Sequence, residues 1–237
     1  MAIEHWFPTS IYFEDLEPSD DVRKGMYDYV KRYEEEWICP DCNDPSCDRK
    51  RGNFTGDTSG DYKITNKKPF YWLNYQVKKH CKIYLRDAYG VDTDKIDLFV
   101  SKSWPVVCGT EGGRVDNHNH INSHLSIVYY LQYDSESKGG DLRIGIPTGN
   151  PIEYLPISAY RVDKKEIPFS GQKNVWYRPI ENRLLIFPSS LNHEVEPYKG
   201  EVPRYSITYD IIITGKADSA ELDNEMSIIH PTQWGLL

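Results

Sequence analysis

The stretch Asn117-His118-Asn119-His120-Ile121-Asn122-Ser123-His124 runs directly into the apolar segment Leu125-Ser126-Ile127-Val128-Tyr129-Tyr130-Leu131. It places three of the chain's seven histidines close together and then becomes β-branched and aromatic. An apolar run of this length and composition is typical of a buried strand. Neutral imidazole is the commonest metal ligand in proteins. The stretch therefore predicts a metal site beside a buried strand.

A second segment, far downstream, has the same character. The apolar run Leu184–Phe187 is followed by His193. On an extended backbone the side chains of His118 and His120 point the same way, and His193 completes a triad if it lies on a neighbouring strand. Three protein ligands leave positions open for substrates, as in catalytic metal sites. The alternative is that these histidines form an exposed turn cluster.

Length and composition limit the classes of protein to consider. The chain has 237 residues, of which 39% are hydrophobic and 13% aromatic, enough to build one large domain with a sizeable core. Its net charge of -8 argues against nucleic-acid binding, because neutralising phosphates requires a basic surface. We therefore expect no nucleic-acid partner.

The sequence also predicts a location. No apolar run approaches the ~20 residues that span a bilayer, and the segment Met1–Trp6 lacks the pattern of a signal peptide. Five cysteines, an odd number, favour a reducing compartment over a disulfide framework. We expect a soluble, cytoplasmic protein without a membrane partner, and the sequence leaves its oligomeric state open.

The region 1–94 is predicted to be a mainly helical support. Ser19 or Asp20 can cap a first helix, and Pro69 opens a second helix from Phe70 to Tyr89 that stops at Gly90. The apolar positions of the first helix repeat with the helical period, at Val22, Met26, Tyr29, Val30, Tyr33 and Trp37.

A cysteine cluster lies between these two helices. Cys39 and Cys42 form a Cys-x-x-Cys pair, and Cys47 follows in a turn-rich segment. Thiolates at this spacing can hold one tetrahedral zinc ion, with His80 or Cys81 as a fourth ligand. The alternatives are three unliganded thiols or, less favoured because no βαβ pattern surrounds the pair, a redox site.

From Lys95 onward the hydrophobic period changes to two, and the pattern indicates short strands as far as Thr214. Gly139-Gly140 predicts a tight reversal, and the Gly145–Gly171 connection is long enough to be a functional loop. A sandwich or a closed jelly roll is expected for residues 95–214, followed by a tail at 215–237. The predicted strands are Ile96–Ser103, Trp104–Gly109, Leu125–Tyr133, Asp141–Gly145, Asn174–Tyr177, Arg183–Phe187 and Arg204–Thr214.

Several motifs occur in one order along this region. They are Trp104, the glycines at 109, 112 and 113, His118-Asn119-His120, Ser126–Leu131, Gly139-Gly140-Asp141-Leu142, Arg183–Ser189 with His193, and Arg204-x-Ser206-Ile207. Together they resemble the core of Fe(II)/2-oxoglutarate-dependent dioxygenases, close to the prolyl-4-hydroxylase-like branch of bacteria and phages. The resemblance covers roughly residues 95–214. It implies a mainly β protein with flanking helices, built on a double-stranded β-helix (jelly-roll) core with an N-terminal α-helical part.

The resemblance also implies an activity and a set of partners. We expect a hydroxylase that uses Fe(II), 2-oxoglutarate and O2 to modify a C–H bond of a peptide or small molecule, with peptidyl proline as the leading substrate class. Position by position, His118 resembles the first iron ligand and His193 the distal one. Arg204 resembles the arginine that holds the C5 carboxylate of 2-oxoglutarate, a task suited to a planar, bidentate donor. Ser206 and Tyr130 resemble the hydroxyls that assist it.

The sequence departs from this family at one ligand position. Enzymes of this class usually bind iron through two histidines and a carboxylate, which lies two residues after the first histidine. Here that position is His120, or Asn122 if His120 were the first ligand, and Asp116 could serve only with the order reversed. His124 is a runner-up ligand, and the favoured interpretation is that it lies next to the ligands or is exposed to solvent. The expected iron ligands are all histidines, at positions 118, 120 and 193.

Two other functions remain open at this point. The chain could be a cupin-like all-histidine metalloprotein, or a ligand-binding jelly roll without 2-oxoglutarate turnover. It could also be an interaction protein in which the zinc cluster matters and the histidines are incidental. For the dioxygenase, the expected substrate-covering elements are the Gly145–Gly171 loop and the Cys39–Gly60 insertion, with Trp104 and Trp176 as aromatic walls.

Overall fold

The computed structural model describes residues 8–39, 41, 43–44, 47, 52–56, 60–147, 149, 172–217 and 228–235. Within these ranges two long helices precede most of the strands. The helices are α1 (Asp20–Trp37) and α2 (Tyr71–Tyr89). The strands are β1 (Tyr12–Asp15), β2 (Phe54–Thr55), β3 (Ile96–Cys108), β4 (Gly113–His118), β5 (Leu125–Gln132), β6 (Leu142–Gly145), β7 (Asn174–Tyr177), β8 (Arg183–Pro188), β9 (His193–Tyr198) and β10 (Arg204–Gly215).

The strands form two antiparallel sheets. The larger sheet has the order β1-β8-β5-β10-β3-β2, and the smaller one has the order β4-β9-β6-β7. Strands distant in sequence are neighbours, since β10 pairs with both β3 and β5. The mainly β, jelly-roll architecture expected from the sequence is confirmed.

The apolar strands of the larger sheet are buried on both faces. In β5, Ile127 and Tyr129 pack with the two helices, whereas Val128 and Tyr130 pack between the two sheets. In β8, Leu184 and Leu185 divide in the same way. A sheet covered on both sides requires a continuous rather than an alternating apolar run, which is the pattern of these two strands.

Both long helices have the predicted ends. The Ser19 hydroxyl accepts a hydrogen bond from the backbone N–H of Val22 at 3.4 Å, at the start of α1. Helix α2 follows a short 3-10 turn, Lys68–Phe70, and ends at Gly90, whose φ of 68° is a left-handed conformation that favours glycine. Their apolar faces cover the outer side of the larger sheet.

The predicted reversal at Gly139-Gly140 is also found. Both residues have positive φ, 71° and 76°. A Cβ on Gly140 would lie 2.7 Å from Cδ2 of Tyr198 and 3.5 Å from Cδ of Arg204. Glycine is therefore needed here for its conformation and because a buried arginine approaches its backbone closely.

The strand predictions differ from the structure at β3, β4 and β9. The segments Ile96–Ser103 and Trp104–Gly109 form one strand, β3, because Pro105 does not interrupt it. Beside Pro105 the strand pairs with β10, whereas β2 pairs only with Val106 and Val107, so the missing N–H of the proline is tolerated. Strands β4 and β9 were not predicted, because their charged residues and the proline of β9 obscure any alternation.

Several other expectations concern residues outside the described ranges or were not tested. Cys42 and most of the Gly145–Gly171 loop lie outside these ranges. No helix in the described part of the chain is long and apolar enough to cross a membrane. The cytoplasmic location and the division at 94 and 214 stay predictions.

Replacing Ile207 with alanine should destabilise the fold strongly. Ile207 is fully buried on central strand β10, so the change removes apolar contacts and leaves a cavity. We expect the free energy of unfolding to fall by about 2–5 kcal/mol in urea denaturation. Val100→Ala, at a position that is 38% exposed on β3, is the control and should cost less than about 1 kcal/mol. Equal losses in the two variants would contradict the described core.

Candidate active site

A cavity of about 680 Å³ lies between the two sheets. Every second residue of β10 from Arg204 to Asp210 faces it, because side chains alternate along a strand. The smaller sheet contributes His118 from β4 and His193 from β9. Further lining residues include Trp104, Val106, His120, Asn122, Ser126, Val128, Phe187 and Val195.

The three predicted histidine ligands meet in this cavity. His118 ends β4 and lies directly opposite His193, the first residue of β9. His120 follows just beyond β4, and its Nε2 lies 3.1 Å from Nε2 of His118. One ligand atom from each histidine lies within 4.8 Å of the others. The pairing of β4 with β9 thus joins residues that are 75 positions apart in sequence.

Each of these imidazoles has an oxygen partner at Nδ1. That partner is the Asp116 carbonyl for His118 (2.7 Å), the Leu191 carbonyl for His193 (2.9 Å) and the Asp210 carboxylate for His120 (2.6 Å). A carbonyl or carboxylate oxygen can only accept, so each Nδ1 carries the proton and donates it. The three Nε2 lone pairs remain for a shared ion, which is the arrangement expected of histidine ligands.

Burial keeps His193 in the state that binds metals. Its side chain is 6% exposed. Loss of hydration lowers its pKa to about 4, with the neighbouring imidazoles of His118 and His120 adding to the effect. The hydrogen bond to the Leu191 carbonyl opposes the shift. His193 is therefore neutral near pH 7, with its Nε2 lone pair free.

Arg204 lies at the inner part of the cavity and is 1% exposed. Its Nη1 donates to the Ser206 hydroxyl at 3.1 Å and lies 3.9 Å from Sγ of Cys108. Its guanidinium carbon lies 5.1 Å from the centre of the Tyr130 ring. Tyr129, by contrast, points to the other face of the sheet and donates to Asn182. Of the two tyrosines, Tyr130 accompanies Arg204.

Two polar atoms of this group have no hydrogen-bond partner. They are Nε of Arg204 and the hydroxyl oxygen of Tyr130, and both are buried. Burial raises the pKa of Tyr130 to about 12, so its hydroxyl keeps its proton and can donate. Among the described residues, no carboxylate forms an ion pair with Arg204. A buried, unpaired guanidinium is costly, and a small anionic ligand would satisfy both orphaned donors.

The remaining predicted site residues occupy different positions. Trp104 lines the cavity, with its ring centre 5.8 Å from that of His120. Trp176 is 49% exposed, donates to Glu196 and does not belong to the described lining, so its prediction as an aromatic wall was wrong. His124 lies outside the cluster because its Nδ1 accepts from the backbone N–H of Ile213. The Asp116 carboxylate pairs instead with Arg114.

The predicted zinc site has no support from the described part of the chain. Cys39 and Cys47 are partly exposed free thiols, and Cys42 lies outside the described ranges. The two suggested fourth ligands are buried: Nδ1 of His80 shares a hydrogen bond with the Tyr12 hydroxyl, and Cys81 is in the core. Of the residues that the structure describes, the histidine cluster is the one group of three or more such side chains placed to hold a metal.

Sequence reasoning missed Asp210, together with the serines around it. The Ser126 hydroxyl donates to Asp210 Oδ1 at 3.2 Å and lies 3.0 Å from the Ser189 hydroxyl, which Ser123 also contacts. A signal was present, since polar residues occupy every second position of β10 from Arg204 to Asp210. In a strand with apolar neighbours this alternation marks a polar face.

Residues 102–210 match a family model described as "Putative 2OG-Fe(II) oxygenase". The match begins in β3 and ends in β10, so it includes the three histidines, Tyr130 and Arg204. This region of the chain is therefore similar to the 2OG-Fe(II) oxygenases. The family resemblance expected from the sequence is confirmed for this part of the chain. No curated protein matches this chain at a significant level.

Solved structures similar to this chain support the fold. A prolyl-4-hydroxylase from Pseudomonas putida has 15% identity and a TM-score of 0.52, and the alignment covers 86% of this chain and 92% of that one. A prolyl hydroxylase from Trichoplax adhaerens, solved with a peptide fragment of the hypoxia inducible factor oxygen degradation domain, has 16% identity and a TM-score of 0.52, with 85% and 83% covered.

A third structure aligns over a smaller part. It is an oxidoreductase of the 2OG-Fe(II) oxygenase family from Burkholderia pseudomallei, with 14% identity and a TM-score of 0.41. The alignment covers 61% of this chain and 55% of that one. A TM-score of this size does not by itself indicate a shared fold.

In the metal-free protein, His193 should stay neutral in mildly acidic solution. Its pKa in the folded protein, about 4, lies below the ordinary value of 6.5. Between pH 4 and pH 6.5 the unfolded chain therefore binds the proton more tightly than the folded one. The free energy of unfolding is therefore not reduced by protonation of His193 above pH 6.5, and it decreases as the pH drops from 6.5 toward 4. Long-range ¹H–¹⁵N spectra of the imidazoles measure the titration directly, with His193→Asn assigning the signal. A His193 midpoint near 6.5 would contradict the described burial.

Proposed function

We propose that this protein is an Fe(II)- and 2-oxoglutarate-dependent hydroxylase, with His118, His120 and His193 as the iron ligands. The observation that carries the proposal is the buried Arg204 guanidinium, unpaired in the described structure, in the same cavity as three converging imidazoles. A metal site alone requires no such cation. A metal with a dicarboxylate co-substrate does, because one end of that molecule binds the metal and the other end needs a buried positive partner.

The residues of the cavity fit these groups. Bound Fe(II) and 2-oxoglutarate would supply the activation of O2 that places a hydroxyl on a substrate C–H bond. Arg204 and the Tyr130 hydroxyl would hold the C5 carboxylate, and the Ser206 hydroxyl fixes the guanidinium by accepting from Nη1. The apolar side chains of Val106, Val128 and Phe187 line the cavity between these groups and limit the entry of water.

The substrate class that we propose to test first is a peptide containing proline. The support is the fold shared with two prolyl hydroxylases, one of which was solved with a peptide. The cavity reaches exposed residues such as Ile121, which leaves room for a polymeric substrate outside it. We further propose that residues 95–214 form the catalytic core and that the helices of region 1–94 support its larger sheet.

Anaerobic titration with Fe(II) and 2-oxoglutarate tests the metal site. The iron–keto-acid chelate has a weak visible charge-transfer band, which should form with the wild-type protein and be lost in His118→Ala, His120→Ala and His193→Ala, because each variant removes one ligand. The band in His80→Ala, at a buried histidine outside the cavity, is the control and should be unchanged.

The outcomes of this titration separate the candidate functions. A band that survives in His120→Ala would mean that two histidines are sufficient to hold the iron. Bound metal without a band in the wild type would favour a cupin-like metalloprotein that does not turn over 2-oxoglutarate. Zinc held by the cysteines, with no stoichiometric iron, would favour a structural or interaction role.

Replacing Arg204 with alanine should remove 2-oxoglutarate turnover but not iron binding. The loss of a buried charged partner costs about 2–5 kcal/mol of binding, so the affinity for 2-oxoglutarate should fall by at least roughly 30-fold. Succinate formation and equilibrium iron binding are the two measurements. Arg183→Ala, which removes an ion pair with Asp15 outside the cavity, is the matched control and should leave both nearly unchanged. Normal succinate formation in Arg204→Ala would exclude the proposed co-substrate site.

A further inference from the structure

Asp210 is a buried carboxylate at the edge of the proposed metal site. It lies on the cavity face of β10, is 2% exposed, and is opposite Ser126 on β5 and Lys102 on β3. No lysine or arginine in the described structure forms an ion pair with it. The basic side chain that it contacts is His120. A buried carboxylate without a basic partner is costly to keep, which indicates a positive group at this place.

The contacts of Asp210 are directed at one side of one imidazole. Its Oδ1 lies 2.6 Å from Nδ1 of His120 and also accepts from the Ser126 hydroxyl at 3.2 Å. The chain of hydroxyls from Ser126 through Ser189 to Ser123 fixes the position of this carboxylate. As an acceptor, Asp210 holds the proton of His120 on Nδ1 and turns the Nε2 lone pair toward His118 and His193.

His120 differs from the other two histidines of the cluster in this respect. Nδ1 of His118 and of His193 donates to a backbone carbonyl, which carries no net charge. His120 alone among the three donates to a carboxylate. It also occupies the position at which the metal centres of this enzyme class usually have a carboxylate ligand. The negative charge missing from the set of ligands is therefore found one hydrogen bond away.

We infer that Asp210 is a positioning residue for the metal: it fixes the tautomer and direction of His120 and supplies, through that imidazole, the negative charge that an all-histidine site lacks. The inference rests on the proposed function, because it requires an ion at the three histidines. It assigns to Asp210 no contact with the ion, the co-substrate or the substrate. Carboxylates that orient a ligating histidine typically strengthen metal binding 10–100-fold.

The test is a titration of the metal-free protein with Co(II), in competition with a chromophoric chelator. Asp210→Asn keeps the size of the side chain and removes its charge, and we expect the Co(II) affinity to fall by about 10–100-fold. Asp97→Asn is the matched control, because Asp97 also pairs with a histidine, His230, but far from the cavity. Its Co(II) affinity should equal that of the wild type. Asp210→Asn binding as tightly as the wild type would overturn the inference.

A second background separates an electrostatic role from a merely structural one. His120→Asp places a carboxylate directly in the set of ligands, beside Asp210. There the change Asp210→Asn should leave Co(II) affinity equal or higher, because it removes a repulsion between two carboxylates instead of a counter-charge. The same loss of affinity in both backgrounds would show that Asp210 acts only through folding and would overturn the inference.

One readout requires no variant. In long-range ¹H–¹⁵N spectra of the metal-free wild type, His120 should be protonated at Nδ1 and not at Nε2. The opposite tautomer would overturn the inference even if Asp210→Asn failed to fold. Failure of the proposed function gives a different result: a wild type that binds no Co(II) removes the basis of both, whereas normal Co(II) binding with no effect of Asp210→Asn overturns this inference alone.

Discussion

The two-residue period of β10, held in register between β3 and β5, is the constraint on which the site depends. Alternate side chains of this strand point to opposite faces of the sheet. Tyr205, Ile207 and Tyr209 pack against the helices, while Arg204 and the three polar residues that alternate with them face the cavity. The strand can carry a polar face in the interior because both of its edges are hydrogen-bonded and its polar side chains mostly find partners.

The cavity has charged groups of opposite sign at its two ends. At one end Arg204 is a buried cation whose Nε, like the neighbouring Tyr130 hydroxyl, has no hydrogen-bond partner among the described residues. At the other end Asp210 is a buried anion that faces an imidazole. Between them His193 is kept neutral by burial, its pKa lowered to about 4. The cavity thus has a positive end suited to a carboxylate and a negative end suited to a cation, and a metal with a dicarboxylate complements both.

Most of the fold and several site residues were predictable because their signals are local. A few adjacent residues are enough to predict each of these elements: the apolar runs of β5 and β8, the capped helix after Ser19 and the turn at glycines 139 and 140. Strands β4 and β9 could not be predicted, because strands rich in polar residues are specified by their partners. The contact of His124 could not be predicted for a related reason: its ring accepts a hydrogen bond from a backbone N–H of β10, which no nearby residue indicates.

The continuous register of β10 also restricts how this protein can change. From Ser206 to Asp210 the strand pairs without interruption on both sides, and the irregularities lie just outside, at Tyr205/Ser206 toward β5 and at Asp210/Ile211 toward β3. Gain or loss of one residue inside this interval would exchange the two faces, burying Asp210 among apolar side chains and presenting tyrosine to the histidines. Related sequences can therefore differ here by substitution but not by length, whereas the loops between the strands can vary in both.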